Sequence, residues 1–178
     1  MTDYLDPRFP GPDPYAPLGE HPSFDLTSDD FANGGTFKEP QLGGNDVSPQ
    51  LSWSGFPAET KSFAITCFDP DAPTAAGFWH WAVFNIPADV TELPSGAGDE
   101  TLGGIAQAVT LVGDSGKRGY YGPNPPAGHA PHRYLFAVHA LDVAELDVPA
   151  DATPTVLGFN LYFHTLARSI YWGWHENK

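Results

Sequence analysis

Two segments of this sequence carry the residue types that could do chemistry. Residues 69–73 read Asp-Pro-Asp-Ala-Pro directly after an apolar run, and His80 stands at the start of the next one. In the second segment, a glycine- and proline-rich stretch over 122–128 leads to His132 and Tyr134. Carboxylates, imidazoles and a phenol in one place can transfer protons, hold an anion or ligate a metal.

The flanking runs predict strands that bring these side chains to one rim of a sheet. Asp69 follows the apolar run 62–68, and a proline-stiffened turn returns the chain at His80. Residues two apart on a strand share a face, so His132 and Tyr134 can point into one pocket. We therefore predict a pocket that contains Asp69, Asp71, His80, His132 and Tyr134.

If this pocket binds an anion, the presence of two carboxylates in it needs a physical explanation, because they would repel the ligand. A carboxylate next to an imidazole favours the charged form of the ring. We expect the two aspartates to orient protonated His80 and His132 in this way. Backbone N–H groups of the loop 122–128 would complete an anion cradle. In the alternative, one aspartate is protonated and donates a hydrogen bond itself.

The elements that hold these residues are predicted to be mainly strands. Glycine and proline, 19 of each in 178 residues, separate short apolar runs, which is typical of strands joined by tight turns. We predict antiparallel β-sheets in a sandwich-like single domain with a few short helices. The predicted strands are 51–56, 62–68, 80–86, 107–112 and 134–141.

Two segments depart from the strand pattern. Between residues 154 and 173, apolar side chains recur at steps of three and four, which predicts a well-buried helix near the C-terminus. This stripe comprises Val156, Phe159, Phe163, Leu166 and Ile170, and it is widened by Leu157, Leu161 and Ala167. Residues 1–23 hold six prolines, which predicts an extended arm that lies on the domain or on a partner. The alternative is a partly mobile tail. The domain itself is expected to span residues 24–178.

The composition excludes several classes of protein. The net charge of −14, with only eight Lys and Arg, excludes nucleic acid as a partner, because phosphate-backbone affinity depends on basic side chains. Cys67 is the only cysteine, so no internal disulfide forms and the cytoplasm is favoured. No stretch approaches the roughly 20 apolar residues of a membrane span, and no basic segment followed by an apolar one opens the chain. We expect a cytoplasmic protein without stable membrane insertion.

The motifs resemble those of the phosphatidylethanolamine-binding proteins, also called Raf kinase inhibitor-like proteins, and their spacing resembles the bacterial branch. The matching motifs are Asp69-Pro70-Asp71-Ala72-Pro73, then His80-Trp81 followed by Asn85, and last the segment that runs from Gly122-Pro123 through Pro125-Pro126 and Gly128 to His132-Arg133-Tyr134. Three motifs in order are more specific than any one alone, and the resemblance covers most of residues 24–172. It implies antiparallel β-sheets and a small pocket that accepts phosphate, acetate or a phosphoethanolamine head group.

The resemblance also implies roles for individual residues. Carried over position by position, the ligand-binding residues are Asp69, Asp71, His80, Gly122, His132 and Tyr134. Phe78, Trp81 and Asn124 are candidates for the pocket wall. The implied function is a binding or regulatory protein without a cofactor, which could inhibit a partner kinase or protease. Related bacterial proteins often look dimeric, and the proline-rich arm and the tryptophan-rich tail at 172–174 offer surfaces for a homodimer.

Two enzyme classes are alternatives to a binding protein. His129 and His132, together with the two aspartates, have the residue types of a zinc site, and a metal-dependent hydrolase is the alternative function. Residues 113–116 read Gly-Asp-Ser-Gly, as in chymotrypsin-like proteases, but this string is also an ordinary hairpin turn. Catalysis and a bound metal are not expected, because no serine or cysteine has an evident base in sequence and Cys67 lies inside an apolar run.

Overall fold

Two β-sheets and one α-helix make up residues 4–178, the part of the chain that the computed structural model describes. The strands are β1 (Asp25–Thr27), β2 (Gly35–Thr36), β3 (Leu51–Ser54), β4 (Ser62–Asp69), β5 (Phe78–Pro87), β6 (Glu92–Leu93), β7 (Val109–Thr110), β8 (His132–Leu141) and β9 (Thr165–His175). The helix is α1 (Pro154–His164), and 3-10 turns occur at Ala16–Leu18 and Glu39–Gln41. The prediction of a mainly β fold with a few short helices is confirmed.

The larger sheet has six strands in the order β2-β9-β8-β4-β5-β7, and the smaller has three in the order β1-β3-β6. All pairings are antiparallel except that of β2 with β9, so the larger sheet is mixed rather than purely antiparallel. Strands β4 and β8 are buried at every position, which explains their nearly continuous apolar sequences. The expected strand 107–112 is shorter than predicted, with only Val109–Thr110 in β7.

Alternate residues of β4 face two different cores. Ile65 and Cys67 pack between the two sheets, against residues that include Trp53 of β3. Ala64 faces the opposite side, where Leu157 and Leu161 of α1 cover the larger sheet. This alternation follows from the period of two along a strand. The larger sheet therefore forms a middle layer, with the smaller sheet on one face and α1 on the other.

The C-terminal segment is half helix and half strand, so the prediction of a single helix over 154–173 is wrong. Helix α1 begins after Thr153, whose side chain accepts a hydrogen bond from the N–H of Val156, and it ends at His164. Strand β9 follows at once and pairs with β8 along its whole length. A backbone ladder of that length outweighs the helical spacing of Leu166 and Ile170, because tertiary pairing overrides local periodicity.

Helix α1 buries only part of the predicted apolar stripe. The helix buries Leu157 and Leu161 against the sheet, whereas Phe159 and Phe163 are 68% and 61% exposed. A helix this short needs only one narrow buried face to hold it on a sheet. Within residues 4–178, no helix is long and apolar enough to cross a membrane.

The proline-rich N-terminal segment packs on its own domain. Tyr4, Phe9 and Tyr15 form a third buried cluster with Leu135 and Trp172, which lie on β8 and β9. The Phe9 and Trp172 rings meet edge to face with centroids 5.7 Å apart. Residues 1–3 of the predicted arm lie outside the described part of the chain. The remainder therefore covers the larger sheet beside α1.

Candidate functional site

A cleft of about 270 Å³ opens at one rim of the larger sheet. Three strand ends meet there, because β4 ends at Asp69, β5 begins at Phe78 and β8 begins at His132. The antiparallel pairing of β4 with both neighbours places those ends side by side. The lining residues are Asp69, Ala72, Pro73, Thr74, Phe78, His80, Tyr121, Asn124, Pro125, Pro126, His132 and Tyr134.

Asp69 holds the ring of His132 in place. The Nδ1 of His132 lies 2.8 Å from Oδ2 of Asp69, and both side chains are buried. The other carboxylate oxygen, Oδ1, accepts a hydrogen bond of 2.8 Å from the backbone N–H of Asp71. An ionised carboxylate only accepts hydrogen bonds, so Nδ1 of His132 carries the hydrogen. This leaves Nε2 as the ring nitrogen that a ligand in the cleft can reach.

A backbone carbonyl holds the second imidazole. The Nδ1 of His80 lies 2.7 Å from the carbonyl oxygen of Tyr121, which can only accept. The Tyr121 ring stacks on the His80 ring at 5.6 Å, and Tyr134 meets it edge on at 4.9 Å. Nε2 is again the free nitrogen. Tyr121 was not among the residues predicted from the sequence, because a carbonyl contact leaves no side-chain signature.

Burial lowers the pKa of His80 below its ordinary value, although the hydrogen bond to the Tyr121 carbonyl and the charge of Asp69 oppose this shift. His80 is therefore neutral at neutral pH, which differs from the expectation of a protonated ring. Burial also raises the pKa of Tyr134 far above its usual range. The Tyr134 phenol consequently keeps its proton and can donate it in a hydrogen bond.

A β-bulge aims His80 into the cleft. Cys67 pairs with Trp81, and Phe68 pairs with Trp79, so His80 has no partner of its own on β4. An extra residue of this kind bends the strand and redirects its side chain, and bulges are common beside functional sites. Trp81, predicted as a pocket-wall residue, instead packs in the core between the sheets. Phe78 and Asn124, the other two wall candidates, do line the cleft.

Asp71 points away from the cleft, so the two aspartates do not act as a pair on the imidazoles. Its carboxylate binds Arg133 in a fork, with Oδ2 2.8 Å from Nε and Oδ1 2.9 Å from Nη2. Both side chains are fully buried. β4 ends at Asp69, so the turn that follows is free to direct the second carboxylate elsewhere. Asp71 is thus a structural residue rather than part of the cleft.

Arg133 belongs to a motif of the family resemblance, but no role was predicted for it from the sequence. It donates to the carbonyl oxygens of Tyr4 and Gly11, at 2.8 and 2.9 Å, while Gly11 N–H donates to Oδ1 of Asp71 at 2.6 Å. The buried ion pair therefore fastens the N-terminal segment to the sheet. A signal was present, since adjacent residues on a strand face opposite sides. His132 and Arg133 could not both have faced the cleft.

The loop over 122–128 does not offer the predicted amide cradle at either end. The N–H of Gly122 donates to Oδ1 of Asp46 at 2.8 Å, and the N–H of Gly128 donates to the carbonyl of Asn177 at 3.1 Å. Gly122 does not line the cleft. A Cβ at this position would clash with the carbonyl oxygen of Gln41, so glycine is needed there for backbone packing.

The catalytic alternatives receive no geometric support. Among residues 4–178, no three His, Cys, Asp or Glu side chains are grouped so that they could hold a metal ion. The rings of His129 and His132 lie 5.7 Å apart, but Nδ1 of His132 already faces Asp69. In the Gly-Asp-Ser-Gly stretch, the N–H of Gly116 donates to the carbonyl of Gly113, as in a turn. Asp114 accepts a hydrogen bond from the N–H of Trp79.

Comparisons of the sequence and of the structure with known proteins find relatives of one family. A family model described as phosphatidylethanolamine-binding protein matches residues 27–173. The UPF0098 protein YbhB of Escherichia coli is 50% identical over 127 residues, which cover 70% of this chain and 78% of that protein. The crystal structure of E. coli YbcL, described as a new member of the mammalian PEBP family, has a TM-score of 0.84 at 37% identity, covering 88% of this chain and 99% of that chain. A PEBP homologue from Chlamydia trachomatis, CT736, has a TM-score of 0.74 at 31% identity, with the same coverages.

Proposed function

The chain belongs to the phosphatidylethanolamine-binding protein family, and we propose that its cleft binds a small phosphorylated or similar anionic ligand, such as a phosphoethanolamine head group. One observation carries the proposal. His80 and His132 are both buried at the cleft, and each has its Nδ1 engaged by a fixed acceptor. Both rings are thus held in one orientation, with Nε2 left to contact the ligand. Such preorganised rings lose little freedom on binding.

The ligand and the two rings must share protons. No Lys or Arg stands among the described residues that line the cleft, and His80 is neutral before binding. A neutral Nε2 accepts a hydrogen bond rather than donating one. A phosphate monoester that carries a single negative charge keeps one P–O–H group, which can donate the needed hydrogen bond. Its second pKa is about 6, so this form is available near neutral pH. Equally, the anion can raise the pKa of a ring and bind it as imidazolium.

The size and walls of the cleft favour a head group over a whole lipid. Its volume of about 270 Å³ is close to the lower limit for small-molecule pockets, roughly 300 Å³. Phe78, Pro125 and Pro126 provide apolar contact, which suits the short carbon chain of an aminoalkyl phosphate. A phosphorylated or acidic side chain of a partner protein fits the same description. Inhibition of a kinase or protease would then use this cleft as the contact.

We propose further that the protein binds its ligand without converting it, and that it does so in the cytoplasm. Cys67, the one thiol of the chain, is buried between the sheets. Burial raises its pKa well above the usual value, which removes the thiolate that nucleophilic catalysis needs. A lone cysteine also forms no internal disulfide, in keeping with a reducing compartment.

Calorimetric titration of inorganic phosphate and of phosphoethanolamine tests the proposal. The protein is compared as wild type, as His132→Ala, and as His164→Ala, in which a partly exposed histidine paired with Asp142 is removed. Each titration is repeated with EDTA. We expect binding that is lost in His132→Ala, retained in His164→Ala and indifferent to EDTA. If the wild type binds neither compound, the proposal fails, and binding that requires a metal would restore the hydrolase alternative.

A further inference from the structure

Helix α1 presents a cluster of apolar side chains to solvent. The rings of Phe159 and Phe163 lie 5.3 Å apart, and those of Tyr162 and Phe163 lie 5.2 Å apart. Tyr162 is 55% exposed, and the two phenylalanines are exposed further. Single exposed apolar residues are ordinary, but a contiguous aromatic cluster marks an interaction surface. Val156, one turn earlier, is 43% exposed and extends the cluster.

Most of the charged side chains around this helix are acidic, although Arg118 donates a hydrogen bond to the carbonyl of Ala150 in the preceding loop and Arg168 lines the neighbouring cavity. Within Pro154–His164 there is no Asp, Glu, Lys or Arg. The loop that precedes the helix carries the exposed carboxylates of Glu145, Asp147 and Asp151. This loop lies against the helix, because Leu146 and Val148 pack in the same cluster as Leu157 and Leu161. At the other end of the helix, Asp142 lies 2.8 Å from Nδ1 of His164. Acidic residues therefore border both ends of α1, on a protein whose net charge is −14.

A small socket adjoins the apolar face. Gly158 and Tyr162 of α1, with Leu18 of the N-terminal segment, border a cavity of about 40 Å³, which has room for about three water-sized groups. Tyr15 and Arg168 also line it. The buried Tyr15 hydroxyl lies near Thr66 but makes no hydrogen bond of normal geometry. The socket has room for the tip of one partner side chain, which is how the anchors of interfaces bind.

We propose that this face of α1 and the socket beside Gly158 dock an amphipathic, basic segment of a partner protein. The apolar stripe of that segment would cover the exposed rings, and its Lys and Arg residues would meet the acidic border. A second copy of this chain is a poor occupant, because it brings the same acidic border and a further charge of −14. A lipid surface offers no positive border, and an anionic bilayer repels the carboxylates.

This surface is separate from the anion cleft. Tyr134 of the cleft belongs to the core between the two sheets, whereas α1 covers the opposite face of the larger sheet. Loss of ligand binding in the cleft therefore says nothing about docking on α1. A variant in one site should keep the binding activity of the other site, which shows that the variant is still folded.

A labelled peptide of leucine and lysine, about 18 residues or five helical turns long, is the probe, read by fluorescence anisotropy. A scrambled peptide of the same composition lacks the apolar stripe, and a leucine–glutamate peptide reverses the charge. The proteins are wild type, Phe159→Ser/Phe163→Ser, and the control Val112→Ser, which alters an exposed apolar residue whose neighbour Leu111 packs in the cluster under α1. We expect binding at least about tenfold weaker in the double variant, unchanged binding in the control, and no binding of the acidic peptide.

Three outcomes would overturn the proposal. Equal affinity of wild type and double variant, or of the ordered and scrambled peptides, would mean attraction by net charge alone. A wild-type dimer in light scattering that the double variant loses would assign the face to a second copy. Sedimentation of the wild type, but not of the variant, with phosphatidylcholine vesicles would assign it to a bilayer. Both phenylalanines are exposed, so the variant should fold, and circular dichroism checks this.

Discussion

The Nδ1 of His132 lies 2.8 Å from Oδ2 of Asp69, and the neighbouring pair, Asp71 and Arg133, lies on the other side of the same strand end. Residues of β8 alternate between the cleft side, with His132 and Tyr134, and the side covered by the N-terminal segment. The two acid–base pairs are thus close in sequence but have different tasks. One orients a ring at the cleft, and the other fastens the N-terminal segment.

Replacement of Asp69 by Asn should weaken phosphate binding by about 10- to 100-fold, the value of one hydrogen bond to a charged group. Asn keeps the shape of the side chain but removes the charge that fixes the His132 tautomer. Calorimetry gives the affinity. Asp142→Asn, which alters the partly exposed pair with His164, is the matched control and should bind phosphate as the wild type does. Undiminished binding by Asp69→Asn would contradict the assigned role.

Phosphate affinity should fall as the pH rises. Burial lowers the pKa of free His80, and a bound anion favours the protonated ring and so raises its pKa in the complex. Binding therefore takes up a proton, and the dissociation constant should rise with pH by at most about tenfold per unit. Titrations in two buffers with different ionisation enthalpies measure this uptake directly. A dissociation constant that stays constant from pH 5.5 to 8.5, about three units, would refute the shared-proton account.

Replacement of Arg133 by Met should destabilise the protein by about 3–5 kcal/mol, because it leaves the carboxylate of Asp71 buried without its partner. The N-terminal segment should also become sensitive to protease, since two of its carbonyls lose their donors. Urea unfolding measures the first effect and limited proteolysis the second. Arg8→Met, which breaks the exposed pair with Asp6, is the control and should change stability little. A stable Arg133→Met variant with a protected segment would show that the aromatic cluster alone holds it.

Much of the cleft could be predicted because its residues stand at strand ends. Apolar runs indicated β4, β5 and β8, and the antiparallel pairing of those runs brings Asp69, His80 and His132 together. Proline and glycine mark the strand ends in the sequence, so the positions of these residues in the fold could be predicted. The family resemblance then narrowed the chemistry to an anion.

The features that escaped prediction depend on contacts between distant segments. The fork between Asp71 and Arg133 joins residues 62 positions apart, and the Tyr121 carbonyl reaches His80 across 41 positions. The helix expected over 154–173 became a strand after His164, because β8 was available for pairing. Local periodicity carries no information on such partners.

Stability should fall on mild acidification because of His139. Burial lowers the pKa of this ring to about 3, whereas an exposed histidine in the unfolded chain titrates near 6.5. Between these two values the unfolded state binds a proton that the folded state excludes. The free energy of unfolding therefore decreases as the pH falls through this window, by at most about 1.4 kcal/mol per unit. Urea unfolding from pH 7 to 4, about three units, measures the slope. His139→Asn, which can keep the contact with Thr165, should flatten it, and an unchanged slope would assign the acid sensitivity to other groups.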